Sequence, residues 1–222
     1  YREPESRLMA LVAASGAIGA LGRIVQYQGA PDYHGMSHLR MLAGNPRPRS
    51  VQTISHTMPV EPYTDNAGRQ HRDETFTASF VAYDNGALAL AAMANWKNGL
   101  GRLPRPGYLE IQGARGVVTR GEARIVPPAA FGCGANAEAF PFRREFHDVH
   151  GHAVLSRIIA GLPGGDIEYV NPFPDYVLTT DVAISVAAEL DSIARAIWRN
   201  REPDYGLALA REDYEMHLAA LE

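Results

Sequence analysis

Thr75-Phe76-Thr77-Ala78-Ser79-Phe80-Val81-Ala82 alternates hydroxyl and apolar side chains, Asn85-Gly86 follows, and Ala87 to Trp96 returns as a second, mostly apolar run. A period of two puts Phe76, Ala78, Phe80 and Ala82 on one face of a strand and Thr75, Thr77, Ser79 and Val81 on the other. Asn-Gly accepts the positive φ angles that a tight antiparallel turn demands. Residues 75–96 therefore predict a hairpin, and the rest of the fold is read outward from it.

Downstream, Tyr108 to Gln112 reads as a strand leading into the turn Gly113-Ala114-Arg115-Gly116, and Val117–Thr119 with Ala123–Val126 as another short pair. A second hairpin joins Val154–Ala160 to Ile167–Val170 through Leu162-Pro163-Gly164-Gly165-Asp166. Upstream, Ala20–Gly29 and Val51–Met58 read as strands. Pro4–Ser15 is a helix with Pro in its first turn and Leu8, Leu11 and Val12 on one side, ended by Gly16. Gly35–Ala43 is a second helix, closed by Gly44-Asn45-Pro46. Two stretches lack periodicity: Pro59–Arg72 reads as a surface excursion and Pro127–Phe142 as irregular chain.

From Thr179 to Glu222 the pattern is helical. Val182, Val186, Leu190, Ile193 and Ile197 recur at spacings of three and four and form one apolar stripe. Thr180 and Asp181 supply the N-terminal cap signal. Pro203-Asp204-Tyr205-Gly206 breaks this helix from a last one, and Trp198 and Tyr205 read as core or helix-packing residues. Strands with local hairpins in the middle and helices at the ends describe an α+β fold, a largely antiparallel or mixed sheet with helices on one face. The other face is solvated or meets a partner.

The totals narrow the function. The 222 residues, 46% hydrophobic and 21% charged, are ordinary for a globular protein and allow one large domain or two small ones. A formal charge of −4 gives no basic footprint for nucleic acid. No apolar run approaches the roughly 20 residues that span a bilayer. The one cysteine, Cys133, cannot form an internal disulfide, which fits a reducing, cytoplasmic compartment. Among 21 basic residues Lys97 is the only lysine, so a lysine acid/base would have to be Lys97. The chain opens on Tyr1 rather than Met, which reads as a cut.

Four segments carry a resemblance to a known family: Tyr1-Arg2-Glu3-Pro4 with Ser15-Gly16-Ala17-Ile18-Gly19; Tyr33-His34-Gly35-Met36-Ser37-His38-Leu39-Arg40; Gly113-Ala114-Arg115-Gly116; and Asn171-Pro172-Phe173 with the closing helices. In this order and spacing the chain resembles the C-terminal domain of the glucose–fructose oxidoreductase / inositol dehydrogenase / MocA family. The resemblance implies a missing N-terminal nucleotide-binding (Rossmann) domain that holds NAD or NADP and supplies a proton-shuttling lysine. No cofactor is then expected on this chain alone, and the isolated chain is expected to be inactive. It also implies that this half walls a sugar, polyol or related substrate and forms the homo-oligomer contact through the open sheet face. By the same resemblance His38 and His34 are the catalytic candidates, with His34 where many members carry Asp. Arg40, Tyr33, Trp96, Lys97 and Arg102 are the substrate-binding candidates.

Other constellations are weaker. His147-Asp148-Val149-His150-Gly151-His152 could ligate zinc or copper, but no cysteine pair or His-Glu-x-x-His helix accompanies it, so it reads as polar loop surface and no metal is assigned. Gly132-Cys133-Gly134-Ala135-Asn136-Ala137 imitates a nucleotide turn without the strand before and helix after that a phosphate cradle needs. Trp96, Lys97, Asn98 and Arg102 suit sugar faces and hydroxyls, or an ordinary hairpin exit. The alternative to the oxidoreductase reading is a non-catalytic sheet domain for dimerisation or binding.

Overall fold

The computed structural model describes residues 2–27, 33–64, 68–94, 107–127 and 136–221. In chain order the elements are α1 (Pro4–Ala14), β1 (Leu21–Tyr27), α2 (Tyr33–Leu42), β2 (Pro48–Thr64), β3 (Gln70–Tyr83), β4 (Leu88–Ala94), β5 (Tyr108–Gly113), β6 (Gly116–Thr119), β7 (Glu122–Ile125), β8 (Glu138–Val149), β9 (His152–Leu162), β10 (Gly165–Val170), α3 (Asp181–Arg199) and α4 (Leu207–Ala219). The strands form one ten-stranded sheet in the order β10-β9-β8-β7-β6-β5-β1-β4-β3-β2. Only β1 and β4 pair in parallel among the described strand pairs; the others are antiparallel. The α+β class with a mixed, largely antiparallel sheet is thus as the sequence predicts.

Register carries the core across the sheet. Val51, Val81, Ala89, Ile24, Ile111, Val118, Ala123 and Phe140 lie opposite one another in one row over eight strands. That row points to the helices, and Val81, Ala89, Ile24, Ile111, Val118 and Ala123 in it are fully buried. Helix α1 lies over β5, β6, β9 and β10, α2 over β1 and α4 over β2. The turn Gly113–Gly116 closes against the end of α1: the Ala114 and Arg115 amides donate to Ala20 O (2.9 Å) and Ile18 O (2.8 Å). Gly113 is required there, because a Cβ would fall 2.3 Å from the Ile18 carbonyl oxygen. Among the described residues no helix is long and apolar enough to cross a membrane.

Four expectations are corrected or refined. The stretch Pro59–Arg72 is at the surface but its described residues are not free of regular structure: β2 runs on to Thr64 and β3 begins at Gln70, with Pro59 opposite Asp73 and Tyr63 opposite His71. β2 is an edge strand, where a missing amide costs no ladder bond. Residues 138–142, expected to be irregular, belong to β8, which starts at Glu138, and the histidine segment 147–152 is hairpin rather than loop, turning at His150 (φ 52) and Gly151 (φ 82). Trp198 is not core: it is 83% exposed.

Trp198 follows from a larger feature. Helix α3 packs on α1 as a second helical layer, and its first residue, Asp181, is ion-paired with Arg144 of β8. It is capped as predicted, Thr180 Oγ1 accepting from the Ala183 amide at 3.1 Å. Its buried residues are the small Ala188, Ser192 and Ala196 with Ile184, while Val182, Val186, Leu190, Ile193 and Ile197 are all exposed. The apolar stripe faces outward.

The open sheet face also inverts a simple reading of β3. Ser79, Thr77 and Thr75 are on the helix side, where they pair with β2 as Thr53–Ser79 (3.0 Å), Ser55–Thr77 (3.2 Å) and Thr57–Thr75 (2.9 Å). Phe76, Ala78, Phe80 and Ala82 face the other way, half-buried beside Leu88, Leu90 and Ile54.

Candidate functional site

The parallel pair β1/β4 sets two carboxyl ends side by side, with Tyr27 opposite Ala92. Helix α2 begins shortly after β1, at Tyr33. In sheets with parallel strands the ground beyond their carboxyl ends is where ligands are held. Trp96, Lys97 and Arg102, expected to bind substrate, lie outside the described residues, as do Cys133 and most of the Gly-Cys-Gly segment.

Tyr33 (40% exposed) and His34 open α2 at the surface, their ring centroids 4.1 Å apart and tilted by 37°. Tyr214 of α4 approaches Tyr33 edge-on at 6.4 Å, and His217 lies 6.2 Å beyond Tyr214. Four rings from two helices, the exposed His34 imidazole among them, thus make one aromatic wall. Such a surface presents π-faces to C–H groups and nitrogen and hydroxyl atoms to alcohols.

His38, one turn further, points into the contact between α1 and α2. Its Nε2 is 3.1 Å from Ser6 Oγ, which is buried and donates to Glu3 at 2.9 Å. Arg120 holds both Glu3 oxygens at 2.9 and 3.0 Å. Burial pushes the His38 imidazole down to about 4, and the Arg120 charge acts in the same direction. The Glu3 carboxyl sits below its ordinary range, the Arg120 and Ser6 hydrogen bonds outweighing its burial. His34 and His38 therefore share a helix but not a surface.

Arg40 is corrected as a pocket-lining residue. It is 1% exposed, and its guanidinium contacts Glu212, Asp213 (2.7 Å) and the Leu209 carbonyl (3.0 Å). Asp213, fully buried, also accepts from Tyr205 Oη at 2.7 Å, so Tyr205 is the helix-packing residue expected of it. Burial raises the Asp213 carboxyl against the opposing pull of Tyr205 and Arg40. This network fixes α4 on α2 and so sets Tyr214 against Tyr33. Sequence reading did not find Tyr214 and His217 as site neighbours, because no local pattern links α4 to α2.

The histidine hairpin is occupied by structural bonds. His147 Nδ1 is 2.7 Å from Ser156 Oγ and its Nε2 is 2.7 Å from the Pro174 carbonyl oxygen. Asn171, 1% exposed, completes this corner by donating to Leu155 O at 2.8 Å and accepting from the Phe173 amide at 3.0 Å. Among the described residues no group of three or more His, Cys, Asp or Glu side chains is arranged to hold a metal ion.

No protein-family model matches the sequence, and no curated protein matches it either. Solved structures share its fold over almost the whole chain. An oxidoreductase from Agrobacterium radiobacter in complex with NAD+, L-tartaric acid and magnesium is similar at 13% identity and a TM-score of 0.51, over 98% of this chain and 59% of that one. An NAD-binding oxidoreductase from Klebsiella pneumoniae gives 13% identity and a TM-score of 0.53, over 98% and 60%. An aldose–aldose oxidoreductase from Caulobacter crescentus complexed with glycerol gives 15% identity and a TM-score of 0.50, over 100% and 60%. The chain thus spans about three-fifths of the length of the structures it matches. The fold is that of the portion these oxidoreductases share with this chain.

Proposed function

We propose that this chain is the substrate-side and assembly domain of an NAD- or NADP-dependent oxidoreductase acting on a sugar, polyol or related carbonyl compound. One observation carries the reading: nearly the whole chain matches oxidoreductases whose structures hold NAD+ with tartaric acid, or glycerol, and leaves two-fifths of their length unmatched. That remainder is the room a nucleotide-binding domain would take. The cofactor supplies the hydride acceptor or donor when bound. This chain supplies the surface that orients a hydroxylated carbon: His34 and Tyr33 from α2, Tyr214 from α4, and the Trp96–Arg102 segment. An accessible imidazole can take up the hydroxyl proton as a hydride leaves the same carbon, and return it in the reverse direction. His38, engaged with Ser6, holds α2 on α1 and so sets the angle at which His34 is presented.

The test is reduction of NAD+ and NADP+ with a panel of sugars and polyols, by the complete gene product and by the 222-residue chain. Turnover by the gene product alone is expected. Turnover by the 222-residue chain, or none by the gene product with any hydroxylated substrate, overturns the reading.

The open sheet face serves as the homo-oligomer contact in this proposal. Ile54 (68% exposed), Met58, Leu88, Tyr27 and Tyr108 form its apolar half from β2, β4, β1 and β5. The other half carries the ion-pair row Arg143–Glu145–Arg157–Glu168. The same face favours the second reading, a non-catalytic dimerisation domain. Sedimentation of Ile54→Arg/Leu88→Arg at micromolar concentration distinguishes an assembling face, which dissociates, from a solvated one, which does not change.

A further inference from the structure

We propose that the cavity at the carboxyl end of α1 binds a small monocarboxylate with an apolar body, at a site separate from the aromatic wall and independent of the oxidoreductase reading. Its walls come from Ser15 to Ala17 after α1, Arg115 in the turn after β5, Ile125 of β7, and the β9–β10 turn from Leu162 to Ile167. The volume is about 320 Å³, and sites for small molecules begin at about 300 Å³. The cavity lies at the Leu21 end of β1, since Leu21 stands opposite Gly113, whereas Tyr33 and His34 follow the Tyr27 end. Seven residues of strand put about 20 Å between the two places.

The frame of the cavity is held by backbone bonds. The Arg115 amide donates to Ile18 O at 2.8 Å, and the Arg115 carbonyl accepts from the Val126 amide at 2.8 Å. The turn is thereby tied both to the segment after α1 and to the end of β7. Ile125 and Leu162 are buried and Ile167 packs against the same core, which makes the floor apolar.

Charge decides the occupant. Arg115 Nη2 donates to Gly16 O at 3.1 Å, which aims the guanidinium along the cavity edge. That bond takes one of five N–H groups, and no carboxylate pairs with Arg115 among the described residues. The carboxyl end of α1 carries about half a negative charge, less than the whole positive charge of the guanidinium. The other polar wall residues do not oppose an anion. Ser15 Oγ is spent within the helix end, donating to Val12 O at 2.7 Å and accepting from the Ala17 amide at 3.2 Å. Asp166 stands at the rim with its carboxyl over Gly161, 3.6 Å from where a Cβ on that glycine would sit. Gly161 and Leu162 are successive residues of β9, so that carboxyl is on the face opposite to the cavity floor. A carboxylate can therefore accept two N–H bonds from Arg115 while its hydrocarbon body covers Ile125, Leu162 and Ile167. One cation above an apolar floor suits a singly charged amphipathic molecule, and a polyanion would find no second cation in the wall.

The experiment titrates hexanoate into the complete gene product, read by calorimetry and by the methyl spectrum of isoleucine-labelled protein. Expected are saturable binding with Kd below about 1 mM and shifted Ile125 and Ile167 methyls, with Ile24 and Ile184 unmoved. 1-Hexanol, which keeps the body, and acetate, which keeps the head, are each expected to bind at least about tenfold more weakly. Arg115→Gln is expected to reduce hexanoate to the affinity of 1-hexanol, by the same factor of about ten. Equal binding of 1-hexanol overturns the inference by leaving only an apolar hole, and equal binding of acetate does so by leaving only an anion seat. Hexanoate that binds without moving the Ile125 and Ile167 methyls lies elsewhere and overturns it too, as does the absence of saturable binding. If Arg115→Gln loosens the end of α1, Arg115→Lys keeps the charge, and the methyl shifts of the unaltered protein decide the question alone.

Discussion

Arg40 and Asp213 form an ion pair at 2.7 Å in which both side chains are sealed from water, at 1% and 0% exposure, and it joins α2 to α4. Removing one partner of such a pair leaves the other charge buried and unmatched, at about 3–5 kcal/mol, whereas replacing both with apolar groups recovers much of that. Arg40→Met is expected to lower unfolding stability by this amount. Arg40→Met/Asp213→Leu/Tyr205→Phe is expected to restore most of it. Urea denaturation of the variants checks this, and a triple variant no more stable than Arg40→Met contradicts it.

His38 gives a pH dependence with a definite sign. Its ordinary value is 6.5 and burial holds it at about 4 in the folded chain. Between those values the unfolded chain binds a proton that the folded chain refuses. Stability from this group is complete above pH 6.5 and falls as pH drops towards 4, by about 3 kcal/mol in all. His38→Gln keeps a donor for Ser6 without titrating. The stability difference between wild type and this variant, measured at pH 7, 5.5 and 4.5, is expected to shift against the wild type as pH falls; a constant difference refutes the assignment.

Gly113 and Gly164 make a controlled comparison. A Cβ on Gly113 meets the Ile18 carbonyl oxygen at 2.3 Å, while one on Gly164 meets nothing within 4 Å. Gly113→Ala is expected to cost about 3 kcal/mol through overpacking. Gly164→Ala is expected to stay within about 0.5 kcal/mol of wild type or to stabilise slightly. Thermal unfolding of the two variants side by side checks the ranking.

Tyr214 tests whether the aromatic wall binds. Tyr214→Ala removes a ring that touches Tyr33 and is 51% exposed, so little stability is at stake. In the complete gene product it is expected to raise KM for a hydroxylated substrate by about tenfold, the loss of one aromatic contact of about 1 kcal/mol or slightly more. An unchanged KM would remove α4 from the site.

How much of this was legible in the sequence depended on range. The hairpin at Asn85-Gly86, the cap at Thr180 and the turn at Gly113–Gly116 are local chemistry, and each is where the residues say. The extensions of β2 through Pro59 and of β8 through Pro141 were hidden, because local breakers were outweighed by pairing with strands already in place. The α3 stripe was visible as a stripe, but periodicity says that a face exists, not what covers it; only the position of α3 outside α1 shows it facing out. At the proposed site, His34 and Tyr33 come from the resemblance at the start of α2, where both stand exposed. The burial of Arg40 was not, since its partners Glu212 and Asp213 come from the far end of the chain.

The most direct test of the central claim is the effect of His34→Ala on NAD(P)-linked oxidation of a polyol or sugar by the complete gene product. His34 is exposed, so the exchange leaves the fold intact. With the imidazole positioned on the reacting hydroxyl, kcat/KM falls by about 100-fold or more, and most of the loss lies in kcat. A variant that keeps the wild-type kcat/KM would show that the start of α2 is not the substrate side of this protein.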